Sequence, residues 1–209
     1  MSHDLRKYGT NTQAVHAGQY VDEATGAVAP PIVQTSTFAF ASCRQGAERF
    51  AGEADGYIYT RMGNPTIARL EEAVAELEGG AGGLATSSGM AALCTVSFAL
   101  LNAGDHLIGT SSVYGPSRVV MERDFSRFGV SSDFVDSSDL DAVREALRPE
   151  TRLIFIETIG NPVLDFTDIA AVAEVARKHH LPLVVDGTFT TPYLLRSIEH
   201  GANIVVNSL

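Results

Sequence analysis

Five short stretches of this 209-residue chain set reactive side chains where a ligand could meet them. Leu183-Val184-Val185 runs into Asp186 and Gly187, the pattern of a buried parallel strand that delivers a carboxylate to the ligand-binding edge of a sheet. Such a carboxylate acts at short range on a cation above the sheet, or caps the turn that follows the strand. Tyr59 and Arg61 sit two apart, so an extended backbone puts a phenol and a planar fork of donors on one side, as a phosphate grip or as a plain surface pair. Ser87-Ser88-Gly89-Met90 turns into an apolar helix, Ala91 to Leu101, whose free N–H groups and positive dipole end suit a phosphate, although such turns also serve backbone geometry alone. Tyr114, in the turn after the strand Asp105–Gly109, can lay its ring on a flat ligand or pack as an ordinary core aromatic. Asn161, held by Pro162 after the strand Leu153–Glu157, offers an amide. Glu157 reads as structural.

The elements that must position these residues alternate between apolar strands and helical stretches, which predicts an α/β fold. Further strands are expected at Gly82–Thr86, Val130–Val135 and Asn203–Leu209, with a helix at Leu140–Leu147. Asn64 and Pro65 open another helix, on which Ile67, Leu70, Val74 and Leu77 recur at helical spacing until Gly79-Gly80. Residues 1–60, with Pro30-Pro31 and the polar, β-prone Gln34–Phe38, read as an extended arm that lies on another surface or moves freely.

Composition narrows the chemistry. A hydrophobic content of 45% is ample for a core. A formal charge of −10 and a pI near 4.9 argue against nucleic acid or an anionic membrane as partner, so any phosphate must be held by local groups. No apolar run is long enough to span a membrane, and the first residues lack the apolar core of a signal peptide. Cys43 and Cys94 stand alone, so free thiols in a reducing cytoplasm are expected. The histidines, His16, His106, His179, His180 and His200 among them, have no metal-ligand spacing, and no metal site is expected. The dinucleotide fingerprint G-x-G-x-x-G and the P-loop are absent, which disfavours a nicotinamide dehydrogenase.

Taken together, VVDGTFTTPYL, HGANIVVNSL, Tyr-x-Arg-x-x-Asn-Pro-Thr at 59–66, Ser-Gly-Met at 88–90, Tyr-Gly at 114–115 and Glu-Thr-x-x-Asn-Pro at 157–162 resemble the pyridoxal 5'-phosphate (PLP) enzymes of cysteine and methionine metabolism. That group contains cystathionine γ-synthase, cystathionine γ-lyase, methionine γ-lyase and O-acetylhomoserine sulfhydrylase. The resemblance implies the type I fold of PLP enzymes, a mostly parallel doubly wound sheet, with 61–209 as the first part of the large cofactor-binding domain and the arm wrapped on a neighbouring subunit. It implies that Asp186 pairs with the pyridine nitrogen and that Tyr114 stacks on the ring and carries protons. Asn161 would bond the phenolic oxygen, and Ser88, Gly89 and Met90 would hold the phosphate. Tyr59 and Arg61 would reach the phosphate of the adjacent subunit, so the site would need a homodimer, with a homotetramer as the expected assembly. In the family the last strand continues as Ser-x-Thr-Lys, whose lysine holds the cofactor; Ser208 and Leu209 fill the first two positions. Neither Lys7, in the polar arm, nor Lys178, in a basic helix end, suits that role, and arginine cannot replace it. The 209 residues are therefore expected to be the N-terminal half of a longer enzyme, with that lysine just beyond Leu209.

Within the family, Gln45–Glu53 ahead of Tyr57-Ile58-Tyr59 looks most like the methionine γ-lyases, which eliminate a thiol to give a 2-oxo acid and ammonia. Departures occur at Gly187 and Asn203, usually Asn and Asp, and at Pro116-Ser117, where those lyases carry Cys two residues after the stacking Tyr. The replacement reactions and cystathionine γ-lyase are alternatives, and a non-catalytic fragment with a PLP fold is an alternative of another class.

Overall fold

The computed structural model describes residues 5–209, apart from the Arg6 side chain, and divides into two compact units that meet at Ala85/Thr86. Among the described residues, the unit that ends at Ala85 holds a 3-10 turn, Leu5–Lys7, and three α-helices, α1 Thr10–His16, α2 Cys43–Phe50 and α3 Pro65–Glu78, joined by stretches without regular structure. Helix α3 begins as its sequence predicts: Asn64 Oδ1 accepts the Thr66 N–H at 2.8 Å, Pro65 takes the first helical position, and Gly79 ends the helix in the left-handed region at φ 74°. A single bridge pairs Thr37 with Tyr59.

No strand forms at Gly82–Thr86, which corrects the expectation from sequence. Instead Glu71 on α3 captures this stretch, its Oε1 accepting the Ala85 N–H at 2.8 Å. A Cβ on Gly83 would lie 2.5 Å from the Glu71 carbonyl oxygen, so the chain runs too close to the helix for any other residue.

The unit Thr86–Leu209 is built on a parallel sheet of five strands, β1 His106–Thr110, β2 Ser131–Val135, β3 Thr151–Glu157, β4 Leu183–Asp186 and β5 Ile204–Val206, in the order β2-β1-β3-β4-β5. Only three residues of the predicted last strand pair in the sheet. The helices are α4 Gly89–Leu100, α5 Gly115–Val119, α6 Leu140–Glu145, α7 Ile169–Lys178 and α8 Thr191–Leu194. Helix α5 runs on through a π turn, Val120–Asp124, and a 3-10 turn, Phe125–Phe128.

Every central strand buries both of its faces. Leu107, Leu153, Phe155, Val184 and Val206 pack with Leu93 of α4, Met121 and Phe125 on one side. Ile108, Ile154, Ile156, Leu183 and Val185 pack with Val143 of α6 and Val172 and Val175 of α7 on the other. This alternation, worth roughly 1.5–3 kcal/mol for each large side chain fully withdrawn from water, makes the strands near-continuous apolar runs and the sheet doubly wound. The strand order reverses between β1 and β3, and in such sheets the crevice at the carboxyl ends of the strands next to that switch point is where ligands sit. No helix among the described residues is long and apolar enough to cross a membrane.

Candidate active site

A cavity of about 290 Å³ opens over the carboxyl edge of the sheet. Seven of the nine residues singled out from the sequence line it: Ser88, Gly89, Met90, Tyr114, Asn161, Asp186 and Ser208. They come from five separate stretches, each ending a strand or opening a helix.

Asp186 is the last residue of β4. Its Oδ1 accepts the Thr188 N–H at 2.9 Å, so the carboxylate caps the turn that follows the strand while it also lines the cavity. Loss of water around it raises its pKa, and bonds from Thr188 oppose the shift. Among the described residues no ion pair reaches Asp186, so the cavity holds a carboxylate that lacks a cation. Thr188 extends this turn to the end of the chain, its hydroxyl accepting the Ser208 N–H at 2.9 Å.

Across the cavity, α4 presents its N-terminus. The Ser88 hydroxyl accepts the Ala91 N–H at 3.1 Å, no acidic residue occupies the first turn, and the N–H groups of Gly89 and Met90 have no partner within the helix. A Cβ on Gly89 would stand 2.7 Å from Ser208 Cβ, so the helix end and the chain after β5 close on each other only with glycine there. Met90 is fixed from the side, its sulfur accepting the hydroxyl of the buried Ser117 at 3.5 Å.

Tyr114 and Asn161 flank the switch point, one after β1 and the other after β3, in the turn that carries the cis peptide Asn161-Pro162. The Tyr114 side chain is 43% exposed, leaving a ring face open. Asn161 N–H bonds the Ser112 carbonyl at 3.0 Å, which ties the two turns together. Glu157, 5% exposed at the end of β3, also lines the cavity. Its Oε1 accepts the Tyr114 N–H at 2.9 Å and its Oε2 the Asn161 N–H at 3.2 Å. Burial drives its pKa up to about 7, the neighbouring Asp186 charge adds to the rise, and the two N–H bonds oppose it. The sequence reads Glu157 as structural, and the structure sets it in the cavity wall. The Glu-Thr-x-x-Asn spacing was the available signal, but its partner Tyr114 lies 43 residues away. Thr188 and Ser117 were missed as well; of the two, only Thr188, two residues beyond Asp186, has a local signature.

Tyr59 and Arg61 belong to the unit that ends at Ala85. Both are exposed, and the Arg61 guanidinium carbon lies 5.8 Å from the centre of the Tyr59 ring, so they remain side by side as their spacing predicts.

Two carboxylates without a cation, a partly exposed tyrosine, an amide held in its turn and a helix N-terminus stand around one crevice of an α/β domain, an arrangement suited to a flat, phosphorylated, cationic ring. Comparison with known proteins carries this further. The profile described as Cys/Met metabolism PLP-dependent enzyme matches residues 11–209, and the chain belongs to that family. It is 44% identical over 206 residues to an L-methionine gamma-lyase of Porphyromonas gingivalis, covering 98% of this chain and 51% of the relative. It is also 44% identical over 197 residues to a cystathionine gamma-lyase of Bacillus subtilis, covering 94% and 50%. A solved structure described as an O-acetylhomoserine (thiol)-lyase of Campylobacter jejuni, which carries a pyridoxyl-lysine phosphate, superimposes with a TM-score of 0.92 at 31% identity, covering 97% of this chain and 50% of that one. The fold is the type I fold of PLP enzymes, and the cofactor of the family is PLP. The chain spans about half the length of the curated relatives it matches.

Proposed function

We propose that this chain is the cofactor-binding part of a PLP-dependent carbon–sulfur lyase acting on methionine- or homocysteine-type substrates, which yields a 2-oxo acid, ammonia and a thiol. The observation that carries the reading is the half-buried Asp186 carboxylate, without a basic partner, in the same cavity as the Tyr114 ring and the α4 N-terminus. When bound, PLP supplies an electron sink for the pair released as the substrate Cα loses its proton.

The residues of this chain would do the rest. Asp186 meets the ring nitrogen and keeps its proton in place, because an adjacent negative charge favours the cationic form. The N–H groups at Ser88, Gly89 and Met90, with the Ser208 side chain, hold the phosphate. The Asn161 amide donates to the phenolic oxygen of the ring, and Tyr114 lies on the ring face and carries a proton at the leaving sulfur. Tyr59 and Arg61 of a second copy complete the phosphate site, which makes a homodimer the smallest working unit and a homotetramer the expected assembly. The cytoplasm is the proposed location, where Cys43 and Cys94 stay as free thiols.

A second reading, γ-replacement on an acylated homoserine or cleavage of cystathionine, draws on Pro116-Ser117 after Tyr114, a departure from the methionine γ-lyase pattern beside the substrate space. Protein from the complete reading frame, loaded with PLP, decides between them. Thiol and 2-oxo acid released in equal amounts from L-methionine support elimination. Consumption of O-acetylhomoserine only when sulfide is present, or turnover of cystathionine alone, supports the second reading. No turnover of any of these defeats both. Sedimentation of the same protein reports its assembly.

A further inference from the structure

We infer that Glu157 is a positioning residue of the cofactor site: its carboxylate clasps the two turns on either side of the sheet's switch point and so sets the distance between Tyr114 and Asn161. This deepens the functional reading above and rests on it.

The geometry is two-pronged. One carboxylate oxygen takes the Tyr114 N–H at 2.9 Å, and the other shares the Asn161 N–H, at 3.2 Å, with the Ser112 carbonyl at 3.0 Å, from a residue that is 5% exposed. The first turn carries the ring and the second the amide, so a single carboxylate mounts both groups. An ionised carboxylate offers acceptors on both oxygens, whereas an amide of the same size would set its own N–H groups against one of the two donors. A serine or threonine could satisfy one such N–H without burying a charge. Glu157 instead lies directly across from Asp186 in the β3–β4 register, where the Asp186 charge raises the cost of ionising Glu157. Among the residues lining the cavity, Asp186 and Tyr114 are the other titratable groups, and none is basic. A protonated ring nitrogen over Asp186 would relieve the repulsion that Glu157 feels. Cofactor binding and ionisation of Glu157 are then coupled, and by linkage each favours the other.

The test uses protein from the complete reading frame, without and with PLP. Equilibrium dialysis gives the cofactor dissociation constant, circular dichroism of the bound cofactor's visible band reports its orientation, and thermal unfolding reports folding. In E157Q one prong is lost, and the dissociation constant at about pH 8 should rise roughly tenfold with an altered dichroic band and a single cooperative melting transition. The wild-type constant should weaken between about pH 8 and pH 6 as Glu157 takes up its proton, and the E157Q constant should change less over that range. A folded E157Q with the wild-type constant and the wild-type pH profile overturns the proposal. Should E157Q not fold, the backbone amide resonances of Tyr114 and Asn161 in the wild-type protein serve instead: a shared titration midpoint supports the clasp, and separate or absent titrations overturn it. A wild-type protein that binds no PLP would defeat the functional reading, while the amide titrations would still decide whether Glu157 joins the two turns.

Discussion

At the end of the sheet where the strands begin, charge is paired; at the end where they finish, it is not. Arg148 bonds Asp133 and Arg152 reaches Asp105 at 3.5 Å, pairs in which only Asp105 is largely withdrawn from water. His106, fully buried there, bonds Thr151 at 2.9 Å and has its pKa lowered by burial and by Arg148. At the carboxyl end, Glu157 and Asp186 stand side by side in register with only backbone and hydroxyl donors for company. Exposed pairs contribute little and signal little beyond solubility and local order. Buried like charges without cations are costly, and proteins keep them where a ligand or a proton is to be handled. The difference marks the carboxyl end as the one suited to a ligand, without reference to any relative.

Substitutions at the two ends should therefore have very different effects. The largest is expected for D186N, which still accepts the Thr188 N–H but no longer holds a proton on the ring nitrogen: turnover of the PLP-loaded enzyme should fall by roughly 10²–10³, read as thiol release, with the fold intact. Next, Y114F keeps the ring and removes the hydroxyl. Turnover should drop about a hundredfold while PLP affinity by equilibrium dialysis changes only a few-fold.

A stability effect of similar size is expected at Glu157. Its pKa rises from the ordinary 4.5 to about 7 in the folded protein, so between those values the folded state binds more protons than the unfolded one. Stability from this group is complete below the unfolded pKa and is lost as pH rises through about 7, by up to about 3 kcal/mol in the cofactor-free protein. Urea unfolding at about pH 5 and pH 8 should show that loss in wild type and a flatter profile in E157Q; equal slopes would remove the uncompensated charge from the comparison. The same proton that steadies the empty protein would loosen the clasp on Tyr114 and Asn161, a trade between stability and readiness for the cofactor. The smallest effect belongs to the other end. R148A should cost no more than about 1 kcal/mol in urea unfolding and leave PLP affinity unchanged. A loss of cofactor affinity in that variant would break the contrast between the two ends.

Much of this was legible along the chain. The strand before Asp186, the capped start of α3 at Asn64-Pro65 and the turn into α4 follow from residue periods and caps that act over a few residues. Seven of the candidate site residues were picked out from the sequence and stand together around one cavity. The strand expected at Gly82–Thr86 failed for a reason no local pattern contains, since the Glu71 carboxylate takes an N–H that a sheet would otherwise have used. Glu157 reads as structural from the sequence for a similar reason, since its two partners, the N–H groups of Tyr114 and Asn161, follow from the packing of two separate turns.

By itself the sequence determined most strands and helices of the sheet-bearing unit and which reactive groups each delivers to its end, because dihedral preference, side-chain period and capping are settled among near neighbours; α1 and α2, by contrast, form within the stretch that reads as an extended arm. The tertiary structure alone decided that β1 lies beside β3 while the chain passes through β2 between them, which brings Tyr114 next to Asn161 and sets Glu157 across from Asp186. Strand order follows from how both faces of the sheet are buried at once, a property of the whole core that no single stretch carries.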